Sequence, residues 1–427
     1  MDVSIGGYVR SLNPRLPRAV QILQGGALLN GFGNGIVYPF LFIYLHNVHS
    51  IGAGTVGLIL ATNGAMALVS GPVAGPLVDR FGGHIVLLGA LAFFTLGYGG
   101  YTFVTRPWQG FLASVIAGIG NGTFWPAQSS LISRLTSREE RPAAFAMQRA
   151  VMNLGFGLGG VAGGLIASES SPATFQALFA IDAATFVAYG LVLAAWVPRP
   201  VALDSVANEP GSYRDVLRHR VFIRLLALNA VFITAGFAQL ELLAVYMKNQ
   251  AGVTETAIGL VFLVNTLVIV IVQLPVARLV EGRRRMPALA GLGFLWAAAW
   301  GLTPVVGALA AGATAAVLFA LTQVVFATGE CLHGAVQNPL VADLARPGLV
   351  GRYMALSAWS WQVGFTVGPA VGGFLLGLWP HAVWLAAAGA CAAGGAAALA
   401  LEPSLPREAR RSPVRPAPSP AVAVELQ

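Results

Sequence analysis

The chain has 427 residues, 56% of them hydrophobic and only 10% charged, with a net charge of +8 and a mean hydropathy of +0.72. A soluble domain carries roughly 25% charged residues, so this composition excludes a water-facing surface and makes lipid the main solvent. The basic residues are spread over the loops rather than gathered in one patch, which excludes a nucleic-acid partner. Cys331 and Cys391 sit in apolar segments without C-x-x-C spacing, which excludes a disulfide framework or zinc site.

Crossing the hydrocarbon takes about 20 apolar residues in helical form. In chain order the apolar segments are 17–45, 53–79, 83–104, 108–135, 142–168, 172–197, 221–248, 254–281, 286–307, 312–344, 350–378 and 380–401. Several are longer than a span requires, which predicts tilt or protrusion. Arg10, Arg15 and Arg18 precede the first segment as they would in a signal peptide. That run is too long and lacks a small-residue cleavage site, so it reads as the first span. The alternation expected of barrel strands is absent. The expected fold class is an all-α integral membrane protein, with twelve transmembrane helices in two six-helix pseudo-symmetric bundles.

Alternate loops face opposite sides. One side collects 23 of the 25 Lys and Arg residues, and the other has only Arg106 and Lys248. The positive-inside rule puts both termini in the cytoplasm and the chain in the cell membrane. The expected organisation is a first bundle at 1–197, a cytoplasmic linker at 198–220, a second bundle at 221–401 and a disordered tail at 402–427. A short helix is expected within the linker, near Tyr213 to His219.

The second half repeats the first. Asn153-Leu-Gly-Phe-Gly-Leu-Gly-Gly-Val-Ala-Gly-Gly164 aligns with Gln362-Val-Gly-Phe-Thr-Val-Gly-Pro-Ala-Val-Gly-Gly373 at an offset of 209. An offset of 202 aligns Tyr44-Leu-His-Asn47 with Tyr246-Met-Lys-Asn249, Gly57 with Gly259, and Asp79 with Glu281. Two such halves in an apolar chain predict a site at their interface. Gly155, Gly159 and Gly163, and likewise Gly364, Gly368 and Gly372, recur every four residues and predict close helix packing. Gly155 to Gly160 also matches G-x-G-x-x-G, but no strand precedes it, so it is not a dinucleotide site.

The loop Gly75-Pro-Leu-Val-Asp79-Arg80-Phe-Gly82-Gly83-His84 resembles the G-x-L-x-D-R-x-G-R-K loop of the major facilitator superfamily. Twelve spans, 6+6 repeats and cytoplasmic termini agree with that resemblance. It implies a charge network that latches the cytoplasmic side in the outward-facing state. Asp79, Arg80, Glu281 and Arg352 are the candidate residues of that gate. Gly83 and His84 stand where the family has two basic residues. Gly364-x3-Gly368-Pro369-x2-Gly372-Gly373 resembles the antiporter motif of drug exporters, which belongs to span five in the family. The span-five copy here has Gly160 in the proline position. Gly329-Glu330 through Pro339 and Asp343 to Arg352-Tyr353-Met looks like a stretch of the twelve-span drug:H+ antiporter group. That likeness assigns Glu330 to a membrane-buried acid.

Three acids lie within spans: Asp182, Glu241 and Glu330. A charge at mid-bilayer costs roughly 2.5–3.5 kcal/mol, so such residues usually face a cavity and act there. Glu330, followed by Glu241 and Asp182, is the candidate for proton coupling. Asp182 reads equally well as a packing acid bonded to a neighbour. Arg149, two turns into span five, either snorkels to the interface or pairs with an acid or substrate. His333, one turn from Glu330, reads as a packing histidine or as a proton relay.

The candidate cavity residues are Asn30, Asn34, Tyr38, Asn121, Trp125, Asn153, Gln239, Gln337 and Gln362. Amides and aromatics with few acids suit a bulky amphipathic molecule. There is no Walker A sequence and no nucleophile–base constellation. Neither enzymatic activity nor a cofactor or metal is expected. The expected function is secondary active transport by a monomer, with a small-molecule substrate, protons and the lipid bilayer as partners. The resemblance implies a proton-coupled exporter of small hydrophobic compounds. A facilitator or importer of a metabolite such as a sugar, and a non-transporting receptor or scaffold, are the alternatives.

Overall fold

A backbone in hydrocarbon must pair its own N–H and C=O groups, and an apolar chain does so as helices. The computed structural model describes residues 16–137, 140–198, 213–346 and 349–412. Its long helices are α1 (Arg18–Val48), α2 (Ala53–Phe81), α3 (Gly83–Phe103), α4 (Pro107–Leu135), α5 (Arg141–Ile166), α6 (Pro172–Trp196), α7 (Arg220–Ala251), α8 (Glu255–Val280), α9 (Arg285–Leu309), α10 (Gly312–Leu344), α11 (Val350–Leu378) and α12 (Ala382–Leu401). Among the described residues, eleven of these are long and apolar enough to cross a membrane. The exception is α4. At 29 residues it is long enough, but it carries Ser114, Thr123 and Gln128, all buried. Their hydroxyls and amides turn inward, where Tyr101 and Tyr189 meet Ser114 and Gln128, so hydropathy understates how apolar its outer face is.

The packing repeats. In the first half α1 packs on α5 and α6, α2 and α3 pack on α4, and α3 packs on α6. In the second half α7 packs on α11 and α12, α8 and α9 pack on α10, and α9 packs on α12. Two seams join the halves, α2 against α11 and α5 against α8.

These seams are built from glycine, because helix backbones can meet only where no side chain intervenes. A Cβ on Gly57 would lie 3.0 Å from Gly373 Cα and also strike the Pro369 carbonyl. A Cβ on Gly259 would strike Gly160, 3.0 Å from its carbonyl carbon. The two contacts are repeat equivalents, since 57 maps to 259 and 160 to 369. The position where the repeats differ, Gly160 against Pro369, is therefore a seam position. The ladder residues Gly155, Gly159 and Gly163 face α1 within their own half. Gly364, Gly368 and Gly372 likewise face α7. The other face of α5, with Gly157, Gly160 and Gly164, forms the seam with α8.

The α2–α11 seam is tight at one end only. Going along α2, a Cβ on Gly64 would meet Thr366 Oγ1 at 2.7 Å, one on Gly71 would meet Trp359 Nε1 at 4.0 Å, and one on Gly75 would meet nothing within 4 Å. The halves thus diverge toward the arginine-rich face. The apolar cores agree. Leu16, Val78, Leu131 and Leu193 form a cluster confined to the first half at that face. At the opposite face Ile43 and Phe179 join Met247 and Val253 in a cluster that crosses between halves.

The short helix expected in the linker is present at Tyr213–Leu217, and 199–212 lie outside the described residues. The expected disorder of 402–427 does not hold for its first part. Residues Glu402–Ser404 and Arg407–Arg410 form 3-10 turns. Ser412 and Arg411 bridge to Glu281 and Arg284. The reason is a charge pair invisible to composition: Arg284 donates two hydrogen bonds of 2.6 Å to the buried Glu402. Residues 413–427 lie outside the described residues.

Candidate functional site

The first helix of each half is broken at matching positions. The regular helix of α1 stops at Val37, before Pro39, whose ring cannot donate a backbone hydrogen bond. After Leu41–Ile43 it resumes as a π-turn over Tyr44–Val48. α7 stops at Ala235, turns at Gly236 through a 3-10 segment, Phe237–Gln239, and restarts at Leu240. At the 202 offset Pro39 corresponds to Glu241. Helix breaks at equivalent places in two repeats mark substrate sites in membrane transporters, because they free backbone and aim side chains at the midplane.

A cavity of about 300 Å³ lies at these breaks. Tyr38 and Glu241 lie together on its wall, within hydrogen-bonding reach of one another. Its amides are Asn30, Asn34, Asn63 and Asn121; Asn121 donates to Asn63 Oδ1 at 3.1 Å, and Asn34 donates to the Asn30 carbonyl at 2.9 Å. Tyr98, Trp125, Phe156 and Phe365 supply aromatic wall. Glu241 Oε2 is buried and has no hydrogen-bond partner in the protein. Such an oxygen is costly to leave alone, so it is an acceptor waiting for a proton or a donor on a ligand.

Of the expected cavity residues, Asn30, Asn34, Tyr38, Asn121 and Trp125 line this space, and Glu241 joins them. Asn153, Gln239, Gln337 and Gln362 do not. Gln239 instead seals the α7 break, donating to the Thr234 carbonyl at 2.8 Å. Gln337 is buried on α10, while Asn153 and Gln362 are half-buried on α5 and α11. Asn63, Tyr98 and Phe365 were not singled out in the sequence. Asn63 had a signal, because 63 maps to Asn265 in the repeat.

Glu330 lies apart from this cavity. It is half-buried on α10, and Arg149 reaches it from the other half. The guanidinium nitrogens of Arg149 stand 3.1 and 3.3 Å from where a Cβ on Gly334 would be, one turn along α10. The opposite charges act on each other across the gap between halves. Arg149 is exposed, as a group in a water-filled cleft would be. His333 is occupied elsewhere. Asn229 Nδ2 donates to Ser360 at 2.6 Å, leaving Oδ1 to accept from His333 Nε2 at 2.7 Å. Trp361 and Trp296 flank the ring, which fits the packing role. Asp182 is fully buried in the first half, and neither carboxylate oxygen has a partner. Thr185 is the neighbour beside this carboxylate, and its hydroxyl donates to the Asp182 backbone carbonyl at 2.7 Å.

The sequence model of the Major Facilitator Superfamily matches residues 25–305 and 241–426. The chain belongs to that superfamily. It is 25% identical over 360 residues to the "Uncharacterized MFS-type transporter YqjV" of Bacillus subtilis, covering 83% of this chain and 85% of that one. It is 24% identical over 349 residues to "Multidrug resistance protein MdtH" of Aeromonas salmonicida, covering 82% and 85%. The fold is similar to that of a point mutant of the nucleoside transporter NupG, with a TM-score of 0.78 and 13% identity, over 90% of this chain and 100% of that one. The superfamily is one of multi-pass membrane transporters.

The superfamily loop after α2 has Asp79 and Arg80 exposed. Arg80 lies over the Phe81 ring at 5.2 Å, and among the described residues neither makes an ion pair. His84 turns inward, where its Nε2 meets the Leu193 carbonyl at 3.1 Å. In the second copy Glu281 is exposed and its backbone bridges to Ser412. The neighbouring Arg285 is fully buried against Asp343 at 2.5 Å. Arg352 is half-buried at the start of α11.

Proposed function

We propose that this protein is a proton-coupled secondary transporter that exports small hydrophobic or amphipathic compounds across the cell membrane. The observation that carries the reading is the cavity at the matched breaks of α1 and α7, walled by amides and aromatics, with an unpartnered oxygen of Glu241 inside. Aromatic faces take an apolar or cationic body, and Glu241 and the asparagines fix its polar atoms. Relatives named multidrug resistance proteins support the drug-like class. On this reading twelve helices span the bilayer as two six-helix bundles, with both termini and the arginines in the cytoplasm. One chain suffices, since both halves of the site lie in it. The divergence of the halves toward the arginine-rich face is then an inward-facing state.

Alternating access follows from the seams. The halves close on the cytoplasmic side and part on the other, carrying the cavity from one aqueous phase to the next. Glu330, beside Arg149 in the cleft between halves, takes a proton and releases Arg149 to substrate or water. Glu241 binds the substrate or a proton in the cavity, and Asp182 is the third proton candidate. The test is transport into inverted vesicles with an imposed pH gradient. Glu330→Gln is expected to abolish the dependence on the gradient while leaving passive exchange of substrate. A Glu330→Gln protein that transports as well as wild type under the gradient would end the proton role of this residue. Uptake indifferent to the gradient in the wild-type protein would favour a metabolite facilitator instead.

A further inference from the structure

The chain has a single lysine, Lys248, and it lies on the face opposite the arginines. α7 ends there with Gly252 in the left-handed region, φ 61°, its N–H bonded back to the Lys248 carbonyl. That cap fixes where Lys248 and Asn249 point. Lys248 Nζ lies 3.0 Å from Glu255 Oε1 on the first turn of α8, and 3.5 Å from Glu169 Oε2 in the turn between α5 and α6. The Glu169 backbone N–H donates to Glu255 Oε1 at 3.3 Å. The pair Lys248–Glu169 and the bond Glu169–Glu255 both cross between halves.

Beside them Asn47 Nδ2 donates to Asn249 Oδ1 at 2.6 Å, and Asn249 Nδ2 donates back to Asn47 Oδ1 at 3.2 Å. Asn47 also bonds Glu169. Asn47 and Asn249 are repeat equivalents, 202 residues apart. Two equivalent residues can touch only on the pseudo-two-fold axis, so this reciprocal pair marks the axis at the face where the halves meet. Asn47 is carried there by the π-turn at the end of α1, a local widening that often serves function.

We propose that Lys248, clasped by Glu169 and Glu255, and the Asn47–Asn249 pair form a polar latch that holds this face shut and sets the balance between the two access states. It rests on the alternating-access reading. The chemistry suits a latch. The lysine and glutamate side chains are 12–33% exposed, so water takes over each partner when the seam opens, and such pairs form and break at small net cost. A compact ammonium on a flexible stem can stay with Glu255, on its own half, while releasing Glu169. Among the described residues no other ion pair within 4.0 Å joins the halves: Arg284–Glu402 and Arg285–Asp343 each lie within the second half, and Arg149 and Glu330 are near each other without forming one.

The experiment reads conformation and needs neither substrate nor proton gradient. Leu60→Cys, on the cavity wall, is placed in full-length protein with Cys331 and Cys391 changed to alanine. A membrane-impermeant maleimide is added from the face opposite the arginines of oriented vesicles. Lys248→Gln is expected to raise the labelling rate about threefold, the scale of removing one exposed ion pair between the halves. Glu169→Gln should raise it about as much, since it breaks the same pair, and Lys248→Arg should keep the wild-type rate. Where Lys248→Gln does not fold, Asn47→Ala with Asn249→Ala carries the same expectation. A wild-type rate in folded Lys248→Gln, or in the double alanine, overturns the latch. Faster labelling in a protein that transports nothing would leave the latch standing and sink the transport reading; proton-driven transport with unchanged labelling would do the reverse.

Discussion

Arg149 is the side chain whose role depends most on its surroundings. On sequence it is a cation two turns inside a span, and both snorkelling and pairing fit. In the fold it leaves α5 and reaches α10 beside Glu330, in the other half. On the proposed alternating-access reading, opposite charges on the two halves couple their motion to whatever neutralises one of them. Arg149→Gln is therefore expected to slow gradient-driven transport by about tenfold, about 1.4 kcal/mol, with Arg149→Lys retaining more of the rate. Combined with Glu330→Gln it should be no slower than the worse single variant, because both remove one interaction. Vesicle transport rates for the three proteins measure this. Additive losses would separate the two residues. Asp182 shows the opposite outcome: its position in a span was evident, but its burial beside Thr185 depends on how α1 packs against α6 at Gly33.

At the scale of elements, α5 has two glycine faces with different duties. Gly155, Gly159 and Gly163 hold α1, and Gly157, Gly160 and Gly164 meet α8. The four-residue ladder was plain in the sequence. Its partner was not, since a glycine stripe says that something approaches and not what. The space around each glycine separates the duties. A Cβ on Gly159 would sit 2.9 Å from Ile36 N and 3.0 Å from Gly35 Cα, against unyielding backbone, whereas one on Gly160 has 3.7 Å to its nearest neighbours. Gly159→Ala should therefore destabilise the first half by about 1–3 kcal/mol, as overpacking does. Gly160→Ala should stay within about 0.5 kcal/mol. Thermal unfolding midpoints in detergent compare them, and equal shifts would contradict the assignment.

Across the whole molecule the two halves share a plan but not their gate loops. The loop after α2 presents Asp79 and Arg80 with no ion pair among the described residues. Its second copy is taken up by the chain's own tail, through Arg284 with Glu402, and by α10, through Arg285 with Asp343. A loop already engaged within its half has little left to offer the other. Closure of the arginine-rich face is thus expected to depend on the first copy. Asp79→Asn should slow turnover about fivefold or more, while Glu281→Gln stays within about twofold, on the scale of exposed pairs. Transport rates at saturating substrate decide it, and the reverse order would mean that the tail releases the second loop during the cycle.

Hydropathy and repeat spacing by themselves determined the membrane class, the span positions and the two-fold plan, and the loop motif around Asp79 and Arg80 pointed to the family. These follow from properties that each segment carries alone: length against bilayer thickness, charge against membrane side, identity against its copy. Repeat position and periodicity also pointed to Asn30, Asn34, Tyr38, Asn121 and Trp125, which line the cavity, but equally to Asn153, Gln239, Gln337 and Gln362, which do not. Only the tertiary structure decided that Gln239 caps a helix break, that Glu330 answers to Arg149 rather than to the cavity, and that the α2–α11 seam is shut at one face and open at the other. Those outcomes depend on the angle between two halves, and that angle is set by contacts such as Gly57 with Pro369 and Gly259 with Gly160, between residues far apart in the sequence.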